Sequence, residues 1–211
     1  VAAGSAALNH ILEIKIDSKM ERTKDRPLPS KELSLTTAII LTLSSFIIGF
    51  GIILYYSTPL VLILAISLVV LYDFIYTPLK RITSLNTYVG GIPGALPPLC
   101  GWAAAQNSLP LDAWILFAIF FFWQLPHFFA IAYMYRVDYA NAGLKMAAEK
   151  DDEGRITSQL MIVFMACLFG ASLLPLYTQL LGWIYAIGML AATLIYVRPI
   201  ITFTNVKNHQ N

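Results

Sequence analysis

Charge is what this chain has least of. Only 12% of its 211 residues are Asp, Glu, Lys or Arg, while 58% are hydrophobic. A soluble domain runs nearer about a quarter charged, and a particle this small has no interior that could hide such an apolar excess. An ordinary water-soluble fold is excluded. Cysteine and histidine are also scarce, at two and three. Cys100 and Cys167 stand far apart in apolar stretches and argue for neither a disulfide framework nor a metal site. Period-two alternation is missing, which excludes a membrane β-barrel. A basic n-region and a cleavage signature are missing too, so no signal peptide is expected at the start. Residues 1–12, VAAGSAALNHIL, reach only about 18 Å as a helix. They are too short to cross a bilayer and read as the end of a helix whose start is absent. No internal repeat is evident, although two similarly placed charged loops hint at pseudo-symmetry.

The charges that exist are sorted. Eleven lie in 13–32, two at Lys80 and Arg81, nine in 136–155, and two at Arg198 and Lys207; only Asp73 and Asp112 stand elsewhere. The stretches between them exceed the roughly 20 residues that cross a bilayer, and a backbone in lipid must satisfy its own hydrogen bonds as helix. The expectation is an all-α, polytopic transmembrane helical bundle forming one domain over 1–211. Six complete spans are predicted near 35–57, 59–77, 86–106, 112–135, 158–176 and 182–203, with an N-terminal helix remnant. If the spans alternate, all fourteen Lys and Arg fall to one side, counting Arg198 near the end of the last span. Basic residues gather on the cytoplasmic side of membranes, so the charged loops are placed there, or in the matrix for a mitochondrial protein. A bacterial plasma membrane is the expected setting.

Four groups of residues invite a chemical reading. Asn9, Glu13 and Asp17 are spaced by four, so on a helix they share one face within about 80°. An amide oxygen and two carboxylates make an oxygen-only site suited to Mg²⁺. Arg22 and Arg26 follow, themselves four apart, until Pro27-Leu28-Pro29 stops the helix, and metal on one side with guanidiniums on the other suggests a pyrophosphate-bearing ligand. The plain alternative is a solvated juxtamembrane loop that fixes orientation. His127 lies in an otherwise greasy span, where histidine is costly; it is either a helix–helix hydrogen bonder or a ligand or proton donor for a bound substrate. Tyr76 to Arg81 read first as aromatic and basic anchors, but Asp73, one turn earlier, does not. Residues 90–101, GGIPGALPPLCG, are expected to break their helix and bend into a cavity wall.

At these residues the chain resembles the UbiA superfamily of intramembrane prenyltransferases, and within it the haem O synthase (protohaem IX farnesyltransferase) branch. The resemblance rests on four blocks between residues 9 and about 146. They are Asn9-x3-Glu13-x3-Asp17 running into Met20-x-Arg22-Thr23-x2-Arg26-Pro27-Leu28; Tyr76-Thr77-Pro78-Leu79-Lys80-Arg81 with Asn86-Thr87 and Gly90-Gly91; Pro97-Pro98 to Gly101-Trp102; and Trp123 to Pro126-His127-Phe128, continuing to Asp138-Tyr139-x2-Ala142-Gly143-x2-Met146. Paired aspartates four apart mark the wider superfamily's second motif, whereas Ala142 follows Asp138 here, which favours the haem branch. The family has nine helices, so the chain is expected to be truncated at its N-terminus and to lack the last helix.

The resemblance implies transfer of farnesyl from farnesyl diphosphate to a vinyl group of haem b, giving haem O. It implies Mg²⁺ on Asn9, Glu13, Asp17 and Asp138, and diphosphate contacts from Arg22, Arg26, Lys80 and Arg81, with Tyr76, Asn86 and Tyr139 orienting. His127 becomes a haem contact, as axial ligand or propionate partner. The implied partners are farnesyl diphosphate, haem b, the bilayer and proteins of oxidase assembly or haem A synthesis, and no nucleic acid. The competing readings are an aromatic-acceptor prenyltransferase of the quinone type and a non-catalytic membrane carrier of haem or lipid.

Overall fold

A computed structural model describes residues 1–148 and 151–208, with side chains through residue 202. Every element among them is helical: α1 (Ala2–Leu12), α2 (Ile14–Asp17), α3 (Leu35–Tyr56), α4 (Pro59–Val69), α5 (Thr77–Leu79), α6 (Asn86–Gln106), α7 (Leu111–Met134), α8 (Arg136–Asn141), α9 (Arg155–Tyr177) and α10 (Trp183–Asn208). Between α4 and α5, residues Val70–Tyr76 form a π-helical turn that keeps the span continuous. The all-α transmembrane class therefore stands.

Local chemistry sets the ends. Ser34 caps α3 by accepting the Thr37 N–H, and Thr58 caps α4 by accepting from Val61 with Pro59 at the first position. Asn107 closes α6 in the left-handed conformation at φ 51°, a backbone that asparagine tolerates. Among the described residues, five helical segments are long and apolar enough to cross a membrane: Leu35–Tyr56, Pro59–Leu79, Leu111–Met134, Arg155–Tyr177 and Trp183–Thr202. Their outward faces carry Ile47, Leu54 and Ile184 at 72%, 67% and 90% exposure. Each such side chain would lose on the order of 2 kcal/mol in water relative to an apolar surrounding, so these faces need lipid. The chain is an integral membrane protein.

Three expectations are corrected. The span expected at 86–106 is a helix, but α6 does not reach the apolarity of the other five, because Asn86, Thr87, Gln106 and its glycines and prolines dilute it. Nor does the 90–101 run break: Pro93, Pro97 and Pro98 all lie inside an uninterrupted α6. Each proline removes one hydrogen bond while neighbouring bonds persist, and the glycines let partners come close. A Cβ on Gly90 would meet the Tyr76 ring at 2.5 Å, and one on Gly91 the Phe121 ring at 2.9 Å. The first helix, finally, does not continue to Pro27. It is interrupted at Glu13 (φ −102°, ψ 7°) and ends at Asp17, after which residues 18–34 run in turns. Lys150 and the side chain of Lys207, part of the expected one-sided charge, lie outside the described residues.

Packing places two ends of the bundle. Val61, Leu64, Leu96, Leu99, Ala103 and Ala113 join α4, α6 and α7 at one end. Leu125, Phe129, Met161, Met165 and Ile200 join α7, α9 and α10. Small residues at such contacts let helices approach where lipid offers no hydrophobic drive. Near the charged loops, Ile16 and Met20 meet Ala142 and Leu144, which docks the turns after α2 against the segment after α8.

Candidate active site

Helix α1 and the span Pro59–Leu79 run side by side in the same direction, cross-linked by polar side chains at a nearly constant offset in sequence. Ser5 donates to Asp73 at 2.5 Å, and Asn9 Nδ2 donates to Thr77 Oγ1 at 2.8 Å. One turn further, Lys80 Nζ donates to both Glu13 carboxylate oxygens at 3.0 Å. Asp17, 1% exposed, receives Arg26 at 2.9 Å. Four residues spaced by four along α1 and α2 thus meet partners in turn, the first three at positions 73, 77 and 80 and the fourth, Arg26, in the turns after α2.

The upper rungs surround a cavity of about 160 Å³. It is lined by Asn9, Glu13, Asp17, Arg22, Arg26, Tyr76, Lys80 and Tyr139 of the residues expected from sequence, with Met20, Tyr72, Leu144 and Met146 completing it. Three cations (Arg22, Arg26, Lys80) oppose two carboxylates (Glu13, Asp17). The Arg22 guanidinium lies 4.9 Å from the Tyr135 ring centroid and donates to the Tyr139 hydroxyl at 3.3 Å. Lys80 Nζ sits 4.7 Å over the Tyr76 ring. Aromatic faces and carboxylates together hold these cations ready without burying them unpaired.

Four expected residues lie elsewhere. Asp138 neighbours Tyr139 on α8 but does not line the cavity. Arg81 lines a separate groove of about 440 Å³ with Leu12, Asp73 and Thr77. Asn86, fully buried, donates to the carbonyls of Thr83 at 2.6 Å and Lys145 at 2.7 Å. With Lys145 N–H on Lys80 O at 2.7 Å, it ties the segment after α8 to the Lys80 end of the span. His127 opens into a second cavity of about 490 Å³, lined otherwise by Pro126, Ala130, Tyr133, Met134, Met161, Tyr196, Pro199 and Ile200. The two cavities are neighbours, since Met146 lines the first and packs against the cluster of Ala132, Tyr133 and Ala148, of which Tyr133 lines the second.

Ser5, Tyr72 and Thr77 are the polar residues that motif spacing did not single out. Ser5 extends the four-residue stripe one step below Asn9, and Tyr72 precedes Tyr76 by four, so the same periodicity carried the signal. Asp73 stood out in sequence only as an unexplained charge. It sits in the π-helical turn with Oδ2 on Ser5 and Oδ1 buried without a partner among the described residues.

The UbiA prenyltransferase family matches residues 1–210. The chain belongs to that family. A protoheme IX farnesyltransferase of Koribacter versatilis is 40% identical over 190 residues, covering 90% of this UbiA-family chain and 61% of the relative. One of Salinibacter ruber is 39% identical over 209 residues, covering 99% and 74%. The chain therefore spans about three fifths of the Koribacter relative and three quarters of the Salinibacter one. The fold is similar to the apo structure of a UbiA homologue from Aeropyrum pernix, with a TM-score of 0.79 at 19% identity, covering 98% of this chain and 78% of that one.

The Mg²⁺ that the family implies calls for hard oxygen donors. No three His, Cys, Asp or Glu side chains converge among the described residues. Glu13, Asp17 and the Asn9 amide oxygen are all hard oxygen donors on one cavity, which fits Mg²⁺ with part of its coordination left to substrate phosphates and water.

Proposed function

We propose that this chain carries the reaction centre of an intramembrane farnesyltransferase that joins farnesyl diphosphate to a vinyl group of haem b, giving haem O. The observation that carries it is one small cavity at the end of apolar helices in which Asn9, Glu13 and Asp17 face Arg22, Arg26, Lys80, Tyr76 and Tyr139. The protoheme IX farnesyltransferases among its relatives supply the acceptor.

Diphosphate leaves only when its growing charge is neutralised. Mg²⁺ held by Asn9, Glu13 and Asp17, with Asp138 joining from beside Tyr139, would supply part of that neutralisation. Arg22, Arg26 and Lys80 supply the rest as charge-assisted donors, and the Tyr76 and Tyr139 hydroxyls orient the phosphate oxygens. Arg81 and Asn86 act from outside the cavity, Asn86 by holding the Lys145 segment in place. The leaving-group bond breaks to an allylic cation flanked by Tyr72, Met20, Leu144 and Met146, which line the same cavity. The electron-rich vinyl carbon of haem attacks that cation, and water adds to the new cation on the porphyrin side and gives up a proton to solvent, which leaves a hydroxyethylfarnesyl group. The apolar cavity takes the porphyrin, with His127 as the axial ligand or propionate partner. The setting is a bacterial plasma membrane with the charged loops on the cytoplasmic side, and proteins of oxidase assembly or haem A synthesis receive the product.

The test uses the full-length parent in membranes. Asp17→Asn or Glu13→Gln is expected to reduce haem O, measured by pigment extraction, at least about a hundredfold; near-normal yield with Mg²⁺ present would overturn the assignment. Product mass after incubating farnesyl diphosphate with haem or with a hydroxybenzoate separates this reading from a quinone-type transferase. A carrier would release no diphosphate with either.

A further inference from the structure

The orientation of the Asn9 amide is dictated by bookkeeping rather than by fit. Thr77 Oγ1 lies 2.9 Å from the Tyr72 carbonyl and 2.8 Å from Asn9 Nδ2. A hydroxyl has one proton, and a carbonyl oxygen can only accept. The Thr77 proton therefore goes to Tyr72, and Thr77 must accept from Asn9. Only the NH₂ end of the amide can donate, so the carbonyl end Oδ1 is the end that Asn9 keeps free for the cavity it lines. The Tyr72 carbonyl is positioned for this by the π-helical turn, where it also accepts the Thr77 backbone N–H, five residues on. Thr77 is 6% exposed and Asn9 likewise 6%, so water does not compete for either bond. One turn deeper, Ser5 on Asp73 pins the same two helices together.

We propose that Thr77 is the positioning residue of the cation site, acting through Asn9: its hydroxyl, directed by the Tyr72 carbonyl, fixes the amide so that oxygen and not nitrogen meets the metal. The proposal rests on Asn9 and Glu13 being metal donors, as above. A flipped amide would aim two N–H donors at a cation, so the relay works as a selector between a ligand and a repellent. Partners that orient a metal ligand typically govern affinity by about ten- to a hundredfold.

The experiment is a Mn²⁺ titration followed by electron paramagnetic resonance on the full-length parent in detergent, with pyrophosphate present and no acceptor. Thr77→Val is expected to weaken Mn²⁺ binding about tenfold, and Thr77→Ser, which keeps the hydroxyl, to restore it to within about twofold. In an Asn9→Asp background the two side-chain oxygens are equivalent, so the further change Thr77→Val should alter affinity by less than about twofold. Unchanged Mn²⁺ affinity in Thr77→Val, while Glu13→Gln loses it, overturns the relay alone. Unchanged affinity in both overturns the metal reading and the relay with it. Equal losses from Thr77→Val in both backgrounds reduce Thr77 to packing and also overturn the proposal. Should Thr77→Val fail to accumulate as folded protein, Thr77→Ala carries the same expectations.

Discussion

The cavity at the ends of α2 and α5 and the cavity between α7, α9 and α10 are neighbours built from opposite materials. The first is about 160 Å³ and presents three cations, two carboxylates, an amide and three phenols. The second is about 490 Å³ and offers a single imidazole among aliphatic, aromatic and proline surfaces. Around the polar cavity, Asn9–Thr77 and Glu13–Lys80 join segments nearly seventy residues apart, Asp17 and Arg26 join within one loop, and every rung is a directional bond. In the apolar one, shape and helix packing set the walls. The difference teaches that this bundle separates its tasks by solvent. Charge is gathered where loops can hydrate and pair it, and the larger space is walled by apolar surface, with Met146 and the Tyr133 cluster between them.

The largest blow to that division would come from Lys80→Met. It leaves Glu13, whose side chain is 8% exposed, without its counter-ion. Breaking a buried pair in this way costs about 3 kcal/mol or more, which should appear as a marked drop in the thermal midpoint in detergent. Pyrophosphate affinity, read by calorimetry, should fall about tenfold, while haem binding stays within about twofold of the wild type. A parallel loss of haem affinity would mean that the two cavities are one functional unit.

His127→Ala probes the same boundary from the other side. Haem titration followed in the Soret band should show about a tenfold weaker affinity and a changed band position, with pyrophosphate binding unaltered. If haem binding and haem O yield are both unchanged, His127 is a packing residue.

A smaller effect is expected from Asp151, which belongs to the apolar side through α9. It lies outside the spans, and although burial works against its charged form, the hydroxyl and N–H of Thr157 with the N–H groups of Ile156 and Arg155 outweigh this and lower its pKa. A carboxyl that is more acidic folded than unfolded stabilises above the unfolded value and loses that contribution as pH falls through the folded one. Asp151→Asn should therefore cost about 1 kcal/mol near neutral pH, as for the loss of a helix-capping side chain. The gap from the wild type should close on acidification below the usual carboxylate range. A gap that persists at acid pH would assign the loss to packing instead.

Much of the polar cavity was legible because its signal is periodic. Asn9, Glu13 and Asp17 share a helix face at any register, and charge stands out against a greasy background. Arg22 and Arg26 reach the cavity too, but by folding back through turns and not by prolonging the helix, since the helix stops where Asp17 meets Arg26 and Thr23. Asn86 and Asp138 show the limit of motif spacing, which assigns residues to a neighbourhood without giving the direction of their side chains. The fate of 90–101 depended on partners that no local rule contains. Tyr76, Phe121 and Gln124 fill the space its glycines leave, and helix survives around three prolines. Span boundaries came within a few residues because lipid thickness sets them; the π-helical turn was invisible, having no compositional mark.

The shared direction of α1 and the Pro59–Leu79 span has an electrostatic consequence. Both arrive at the polar cavity with their C-terminal ends, and α7 ends beside it at Tyr135, whose ring carries Arg22. Each helix end contributes a partial negative charge of about half an electron, felt over its last turn. The familiar anion cradle, a helix N-terminus with free N–H groups, is thus reversed here. A cation gains from the backbone at this spot, and a diphosphate does not. Any phosphate held there depends on side chains and on a metal ion it shares with the protein, and so its affinity should fall with ionic strength more steeply than in a site built from backbone amides.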